Sequence, residues 1–437
     1  MLLKHCKMEV KGGNYMIQLG FDKQCITPTL PVHLYGFPNE RIATEVHDDL
    51  FTRVMVFKDD SDIYVYIQFD LLKVDQVLID LLVEKVKHLG IQKEHLVFSS
   101  THTHYGPGGF FATGSELFTR MQPFFGEGDF TYIEFIADKI YLAIQNSRDN
   151  LTETYLKIGR SSVENVGKER HNPNLEGDTS ILVYEFTRID GKKVLLYNYA
   201  CHPTVTGSQN CMITKDLPYP VERDLPHDMI IFVNGNCGDI STRFTRNSNE
   251  FSQLDIFGKE IIAGIYRALE NPEFNGPFLR IKMKQFSVEL PIRKVNTVEE
   301  EQKKLNQYRQ QIIEAKTNNI KAGDLRLIES YAEGAEKAVL FAQALAGLTS
   351  ETVPYSIITI EHTKIVTVPG ELFSTLGKQL KRIGYEVFGY TNGYFLYLAD
   401  TNSYDQMFYE AMSSPFERGA GEILIKSIKE KGEILCQ

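Results

Sequence analysis

The sequence lacks the features that mark membrane-spanning, metal-finger and nucleic-acid-binding chains. No stretch of roughly 18 apolar residues occurs, which argues against a transmembrane helix. The six cysteines form no Cys-x-x-Cys pattern and fit reduced, mostly buried thiols better than a disulfide framework. The formal net charge of −10 gives no reason to expect a basic face, so no nucleic-acid partner is predicted.

An apolar core of signal-peptide length is also missing from the N-terminus, so a cytoplasmic location is expected. Residues 1–15 are polar and aperiodic, and strand-like sequence begins at Met16. The codons for Lys11-Gly12-Gly13 can form a purine-rich sequence that resembles a ribosome-binding site. We therefore hypothesise that translation starts at Met16 and that residues 1–15 are a leader that is not native.

The composition that remains is that of a large globular protein. The chain has 437 residues, of which 43% are hydrophobic and 24% charged, enough for a sizeable core. No internal repeat, low-complexity tract or Pro/Ser-rich linker divides it. We therefore predict an α/β fold, a single large mixed-sheet domain with flanking helices over residues 16–437.

Residue periodicity predicts the main elements. Strand-like runs predict β-hairpins at 51–70 and 181–200, the second around an Asp-Gly turn. Apolar residues at helical spacing predict helices at 73–89, 129–147, 252–270 and 371–383. Residues 297–347 are rich in Glu, Lys and Gln and predict an exposed helical hairpin, which we interpret as a solvated insertion in preference to a lid or a partner surface.

Two histidines follow an apolar run that ends at Phe98. If that run is a strand, side chains two positions apart point the same way, so His102 and His104 share one face. The Gly-Pro-Gly-Gly after them forces the chain to turn. Two imidazoles aimed at one spot suit a transition metal or paired acid/base chemistry, whereas the alternative is two ordinary surface histidines.

Three other predicted strands also end in polar loops, which contain His202, Ser241 and Glu371. Ligands bind beyond the carboxyl ends of strands in open α/β sheets, so these loops are predicted to form one site. His102, His202 and Glu371 are candidate zinc ligands. The alternatives are a strand-end cap for His202 and a helix N-terminal cap for Glu371. Ser241 does not stand in the Gly-x-Ser-x-Gly pattern of serine hydrolases.

Five motifs in order resemble the catalytic domain of the neutral/alkaline, non-lysosomal ceramidase family. They are Thr-His-Thr-His-x-Gly-Pro-Gly-Gly, Cys-His-Pro-Thr, Asn-Gly-x-x-Gly-Asp-Ile-Ser, Val-Pro-Gly-Glu-Leu-Phe and Thr-Asn-Gly-Tyr-x-x-Tyr. The resemblance runs from about Met16 to residue 420. It implies a zinc-dependent amidase that splits the amide of ceramide or a related N-acyl lipid, with one zinc ion per chain.

The resemblance also implies roles for individual residues. The zinc ligands of the family match His102, His202, Glu371 and Tyr397. Tyr397 is preferred to Tyr394 because Tyr409, which matches a second site tyrosine, follows it by twelve positions. The remaining catalytic positions match His104 as the non-ligand histidine that moves a proton, Ser241 as nucleophile or orienting group, and Arg170 as the site arginine. Asp216 is predicted to orient a ligand histidine.

The sequence departs from the family at two places. Thr242-Arg243 replace the Pro-Asn that follows the family's serine, and the chain ends before the family's C-terminal β-sandwich domain. The alternatives to an amidase are therefore a non-catalytic member that binds a lipid or partner, and a zinc hydrolase of another bond. A cluster of phenylalanines fits ordinary core better than an acyl pocket: Phe110, Phe111, Phe118, Phe124 and Phe125.

Overall fold

The structure is a computed structural model that describes residues 15–172, 174–175, 177–318 and 322–434. Its strands are β1 Gln18–Cys25, β2 Val32–Leu34, β3 Arg41–Ala43, β4 Glu45–Val46, β5 Phe51–Lys58, β6 Ile63–Phe69, β7 Leu96–Ser100, β8 Thr152–Ser162, β9 Lys168–Glu169, β10 Ser180–Arg188, β11 Lys193–Tyr199, β12 Met212–Ile213, β13 Met229–Asn234, β14 Ile240–Ser241, β15 Phe274–Pro277, β16 Ile281–Pro291, β17 Ser350–Ile360, β18 Thr363–Thr367, β19 Glu371–Leu372, β20 Tyr385–Phe388 and β21 Tyr397–Leu398. Its α-helices are α1 Gln76–Val86, α2 Glu116–Arg120, α3 Gln122–Phe125, α4 Phe130–Asp149, α5 Pro218–Asp224, α6 Ser252–Glu270, α7 Val298–Thr317, α8 Ala322–Leu345, α9 Ser374–Arg382, α10 Thr401–Asp405, α11 Tyr409–Met412 and α12 Ala420–Ile434.

A nine-stranded mixed sheet forms the centre of the fold. Its order is β13-β11-β10-β8-β1-β5-β6-β7, with β15 paired to β8. The β11–β13 and β6–β7 pairs are parallel, and the other pairs are antiparallel. Both predicted hairpins, β5–β6 and β10–β11, are part of this sheet. The predicted mixed-sheet α/β class is confirmed.

A second sheet of four strands, β16-β17-β18-β20, packs against the first. Strand-like sequence at 355–360 and 364–368 predicts β17 and β18, but a separate second sheet was not predicted. Side chains alternate across β5, as the pleat requires. Met55 and Phe57 share a buried cluster with Ile358 and Ile365 of the second sheet. Val54 and its neighbours on the other face pack with α1 and α4. The molecule is therefore layered helix, sheet, sheet, helix, with α9 and α12 covering the outer face of the second sheet.

The predicted helices are present. The helix predicted at 371–383 begins later than expected, and this shift affects a candidate site residue. Helix α6 covers the predicted 252–270. The helix predicted to begin at residue 371 begins at Ser374, so Glu371 lies in the short strand β19. None of the helices within the described ranges is long and apolar enough to cross a membrane.

The predicted helical hairpin of residues 297–347 consists of α7 and α8. A capping box at Thr297 begins α7. The end of α8 packs its Ala344 and Leu345 against Leu117 and Phe118. The C-terminal end of the hairpin therefore packs against the rest of the domain.

The proposed leader lies outside the described residues except for Tyr15. Among the four described cysteines, Cys201 and Cys237 are buried, as expected. Cys25 and Cys211 are exposed, so the expectation of mostly buried thiols was wrong for these two.

Candidate metal centre

The polar loops that follow four strands meet at one place. The side-chain amide of Asn234, the last residue of β13, donates to the carbonyl of Cys201 at 3.1 Å and to that of Thr101 at 3.4 Å. The carbonyl of Asn234 accepts from the amide of Gly389, which follows β20. Asn234 therefore joins the loops after β7, β11 and β20, although β7 and β13 lie at opposite ends of the sheet order.

His102 and His104 converge for a reason other than the predicted one. Strand β7 ends at Ser100, and His102 has a left-handed backbone, with φ of 65°. The strand periodicity that predicted a shared face is therefore wrong at this position. The two rings nevertheless meet, with their Nε2 atoms 3.2 Å apart, because the turned backbone brings His104 over His102.

Backbone carbonyls hold a proton on Nδ1 of His102 and of His202. Nδ1 of His102 lies 2.7 Å from the carbonyl oxygen of Leu72, and Nδ1 of His202 lies 3.0 Å from that of Ile240. A carbonyl only accepts hydrogen bonds, so each Nδ1 carries a proton, and Nε2 is the nitrogen of each ring that faces Glu371. Burial also lowers the pKa of His102 to about 4, which keeps its ring neutral.

Asp216 does not orient either ring, and that prediction was wrong. Its buried carboxylate accepts from the backbone amides of Val205, Thr206 and Leu217. It therefore shapes the loop after His202, while a carbonyl orients the ring itself.

Glu371 completes a set of buried donors. Its Oε2 lies 3.0 Å from His202 Nε2 and 3.6 Å from His102 Nε2. Burial alone would raise the pKa of Glu371, but the neighbouring His102 and His202 bring it down to about 2. Because α9 begins at Ser374 and is preceded by Phe373, the helix-cap alternative for Glu371 is wrong. Two imidazoles and a carboxylate form a donor set that zinc takes in proteins.

Three tyrosines surround this carboxylate. The hydroxyl of Tyr394, which the sequence comparison set aside, donates to Oε1 of Glu371. Tyr390 stacks on His102 at 4.1 Å and places its hydroxyl 3.4 Å from Oε2 of Glu371. Tyr397 pairs with Glu371 in the β19–β21 register, and its hydroxyl accepts from Arg170 at 3.4 Å. The choice of Tyr397 as a ligand stays a prediction.

His104 belongs to the same cluster. The ligand atoms of His102, His104 and His202 all lie within 4.8 Å of one another. The His104 ring packs edge-on against Phe37 at 4.9 Å, and its buried Nδ1 has no hydrogen-bond partner. Burial lowers the pKa of His104 well below its ordinary value.

Ser241 and Arg170 approach the cluster from one short sheet. Strand β14 pairs with β9, which sets Ser241 opposite Lys168. The preceding Ile240 is the residue whose carbonyl orients His202, so Ser241 is close along the chain to that ligand. Arg170 follows β9, and its Nη2 donates to the carbonyl of Gly238 at 2.6 Å as well as to Tyr397.

Tyr409 lies at the edge of the cluster. Its ring centre is 6.4 Å from that of Tyr397, and 57% of its surface is exposed. The structure thus links seven of the eight predicted site residues through contacts or strand pairing, and the eighth, Ser241, adjoins Ile240, whose carbonyl orients His202.

Sequence reasoning missed two residues behind Arg170. Glu410 is buried and contacts both Arg170 and His171. A glutamate next to a predicted site tyrosine was the only signal for it, and that signal is weak. The phenylalanine cluster has the core role that was favoured: Phe110, Phe118 and Phe125 are buried, and Phe124 packs on Phe341 of α8.

Comparison with known proteins agrees with the resemblance predicted from the motifs. Residues 17–218 match the family model described as neutral/alkaline non-lysosomal ceramidase, N-terminal. The neutral ceramidase of Drosophila melanogaster is 26% identical over a match that covers 46% of this chain and 30% of the relative. The chain therefore matches less than a third of that protein's length.

Two solved structures share the fold. The neutral ceramidase from Pseudomonas aeruginosa superposes with a TM-score of 0.73 and 19% identity, over 95% of this chain and 74% of that one. A ceramidase complexed with C2 superposes with a TM-score of 0.70 and 16% identity, over 94% and 74%. At these identities the likeness establishes the fold.

Proposed function

We propose that this chain, a relative of the neutral/alkaline, non-lysosomal ceramidases, is a zinc-dependent amidohydrolase that cleaves an N-acyl amide. The observation that carries the proposal is the shared orientation of two buried imidazoles. His102 and His202 each donate a hydrogen bond from Nδ1 to a backbone carbonyl, and Nε2 of each ring faces the carboxylate of Glu371. This is the arrangement in which proteins hold a metal ion.

His102, His202, Glu371 and Tyr397 are the residues that we assign to the metal. A bound zinc ion supplies two things to amide hydrolysis, a water with a pKa near neutrality and polarisation of the carbonyl. The low pKa of Glu371 and the neutral His102 favour zinc over protons at neutral pH, because the ligand atoms are already deprotonated.

His104 is the residue that we assign to proton transfer. Its ring is held neutral by burial and lies beside His102, so it can accept a proton from the attacking water. The resulting imidazolium then donates that proton to the leaving amine.

Arg170 and Tyr409 are assigned to the negative charge that develops on the amide oxygen. Ser241 is assigned to the orientation of water or substrate. Its Oγ accepts a hydrogen bond from the amide of Arg243 at 3.3 Å, which leaves its own proton available for donation.

The family likeness supports a lipid substrate. The two solved structures and the Drosophila protein are all named ceramidases, so ceramide or a related N-acyl lipid is the substrate class that we propose.

The test is turnover of fluorogenic N-acyl amides, ceramide analogues included, by the zinc-loaded wild type and by His104→Ala. We expect the variant to keep its zinc and to lose about 10²–10⁴-fold in kcat, the usual contribution of general acid–base catalysis. Zinc binding without cleavage of any amide by the wild type would support a binding role or hydrolysis of another bond. An unchanged kcat in His104→Ala would remove His104 from the mechanism.

A further inference from the structure

Glu410 uses both of its carboxylate oxygens on partly buried cations. It lies on α11, next to Tyr409, and only 4% of its surface is exposed. Oε1 lies 2.6 Å from Nε of Arg170, and Oε2 lies 2.7 Å from Nε2 of His171. One side chain therefore ties the loop after β9 to the helix that carries Tyr409.

His171 is held as a cation between two carboxylates. Its Nδ1 contacts Oε1 of Glu169 and its Nε2 contacts Glu410. Ionised carboxylate oxygens only accept, so both ring nitrogens carry protons. Burial would lower the pKa of His171, but the two carboxylates raise it to about 9. The ring also stacks on Phe408 at 3.9 Å, with the two planes inclined by 8°.

The charges in this cluster balance. Glu169 and Glu410 supply two negative charges, and Arg170 and His171 supply two positive ones. A buried charge is stable only when it is paired and hydrogen-bonded, so each member depends on the others.

The cluster restrains Arg170 from two sides. Oε1 of Glu410 forms an ion pair with Nε at one edge of the guanidinium, and the carbonyl of Gly238 accepts a hydrogen bond from Nη2 at 2.6 Å. Because the guanidinium is rigid, restraints on two of its nitrogens limit where the group can lie. Nη2 also donates to the hydroxyl of Tyr397 at 3.4 Å.

We propose that Glu410, with His171 as its partner, is a positioning residue that holds Arg170 and Tyr409 at the metal centre. The inference rests on the proposed function for what Arg170 and Tyr409 do in turnover, whereas the positioning of Arg170 itself is measured by binding. Neither Glu410 nor His171 needs to contact the substrate in this role.

The first test compares Glu410→Ala with Glu410→Gln. We expect kcat for N-acyl amides to fall about 10²-fold in the alanine variant, because misplacing a group that stabilises the transition state costs about that much. KM and zinc content should change little. Glu410→Gln keeps the shape, and its amide oxygen still accepts a hydrogen bond from Nε2 of His171, so it should retain more activity than Glu410→Ala.

Asp405→Asn is the matched control. Asp405 lies on the preceding helix α10 and pairs with Arg418 at 2.8 Å, but both side chains are 54% exposed. Loss of this carboxylate should leave kcat unchanged. Equal loss of kcat and rise of KM in both Glu410 variants would indicate a merely structural role and would overturn the proposal.

A binding measurement separates this proposal from the proposed function. Decanoate is the probe, because its carboxylate resembles the charge that Arg170 is assigned to receive. We expect titration calorimetry on the zinc-loaded protein to give about 10-fold weaker binding in Glu410→Gln. If decanoate binds the wild type about 10-fold more tightly than Glu410→Gln but the wild type cleaves no amide, the proposed function fails and the positioning role stands. If it cleaves amides and neither Glu410 variant alters kcat or decanoate affinity, the positioning role fails.

Discussion

The Nδ1 protons of two histidine rings are held by backbone carbonyls rather than by acidic side chains. Leu72 and Ile240 lie 30 and 38 positions from the rings that they orient. With Nδ1 occupied, each ring has one nitrogen left for a ligand, and that nitrogen faces Glu371. The metal-binding assignment therefore depends on hydrogen bonds that occupy Nδ1 and leave Nε2 of each ring for a metal ion.

At the scale of single residues, a comparison of two tyrosines tests which of them is the metal ligand. We expect Tyr397→Phe to weaken zinc affinity more than Tyr394→Phe. The reason is that Tyr397 is assigned to the metal, whereas Tyr394 donates to Glu371 and so supports a ligand. Loss of a supporting contact typically costs about 10–100-fold in metal affinity, and loss of a ligand should cost more.

Competition with a chromophoric chelator measures both affinities. Each variant removes one hydroxyl from a neighbouring ring, so the two serve as controls for each other. The reverse order of affinities would transfer the ligand role to Tyr394.

The short loop between β2 and β3 is the element that limits the position of His104. Gly36 in this loop has φ of 109°, and a Cβ there would lie 2.6 Å from Cγ and Nδ1 of His104. We expect Gly36→Ala to displace the His104 ring and to lower kcat by about 10-fold or more, since a shift of roughly 1 Å in a catalytic group can cost 10²-fold. Steady-state hydrolysis of an N-acyl amide measures the effect.

Gly419→Ala is the matched control for the backbone. Gly419 has a similar φ of 93°, but a Cβ there meets nothing within 4 Å. Both variants carry the strain of a left-handed residue, so a difference in kcat between them reports contact with His104. Equal activity of the two variants would contradict the account of this loop.

The cluster around His171 predicts how the link between β9 and α11 responds to pH. The folded pKa of His171, about 9, lies above its ordinary value of 6.5, because Glu169 and Glu410 favour the charged ring. A raised histidine pKa stabilises the fold fully below pH 6.5, and this contribution is lost as pH rises through 9. We expect the wild-type melting temperature to fall across this window more steeply than that of His171→Asn.

Thermal unfolding at pH 6.5, 7.5, 8.5 and 9.5 measures the difference in slope. Other groups titrate equally in both proteins and cancel in the comparison. Parallel curves for the two proteins would show that His171 is not charged by its neighbours.

The elements that sequence reasoning predicted are those with a clear period. Helix α6 and the β10–β11 hairpin follow from apolar spacing and an Asp-Gly turn. The position of Glu371 could not be predicted in this way, because β19 has two residues and therefore no periodicity. The left-handed backbone of His102 likewise has no local signal, since residues other than glycine adopt it only in a few per cent of cases.

On the scale of the whole molecule, the sequence predicts the class of the fold but not the pairing of its two sheets. The paired strands β16 and β17 are separated in sequence by the α7–α8 hairpin. The contact between the sheets joins side chains as distant as Met55 and Phe388, and spacing along the chain holds no information on such pairs. The motifs named most residues of the candidate site, whose roles stay predictions, whereas the Glu410 cluster needed the three-dimensional structure.

Zinc content is the measurement that tests the central claim most directly. Wild type and Glu371→Ala would be loaded with zinc, freed of excess metal and measured by mass spectrometry of the metal against protein concentration, with Glu351→Ala as a control for removal of a buried glutamate outside the site. The account predicts one zinc ion per chain in the wild type and in the control, and loss of that ion in Glu371→Ala. A wild type that binds no zinc, or a Glu371→Ala variant that keeps it, would contradict the metal centre assigned to His102, His202 and Glu371.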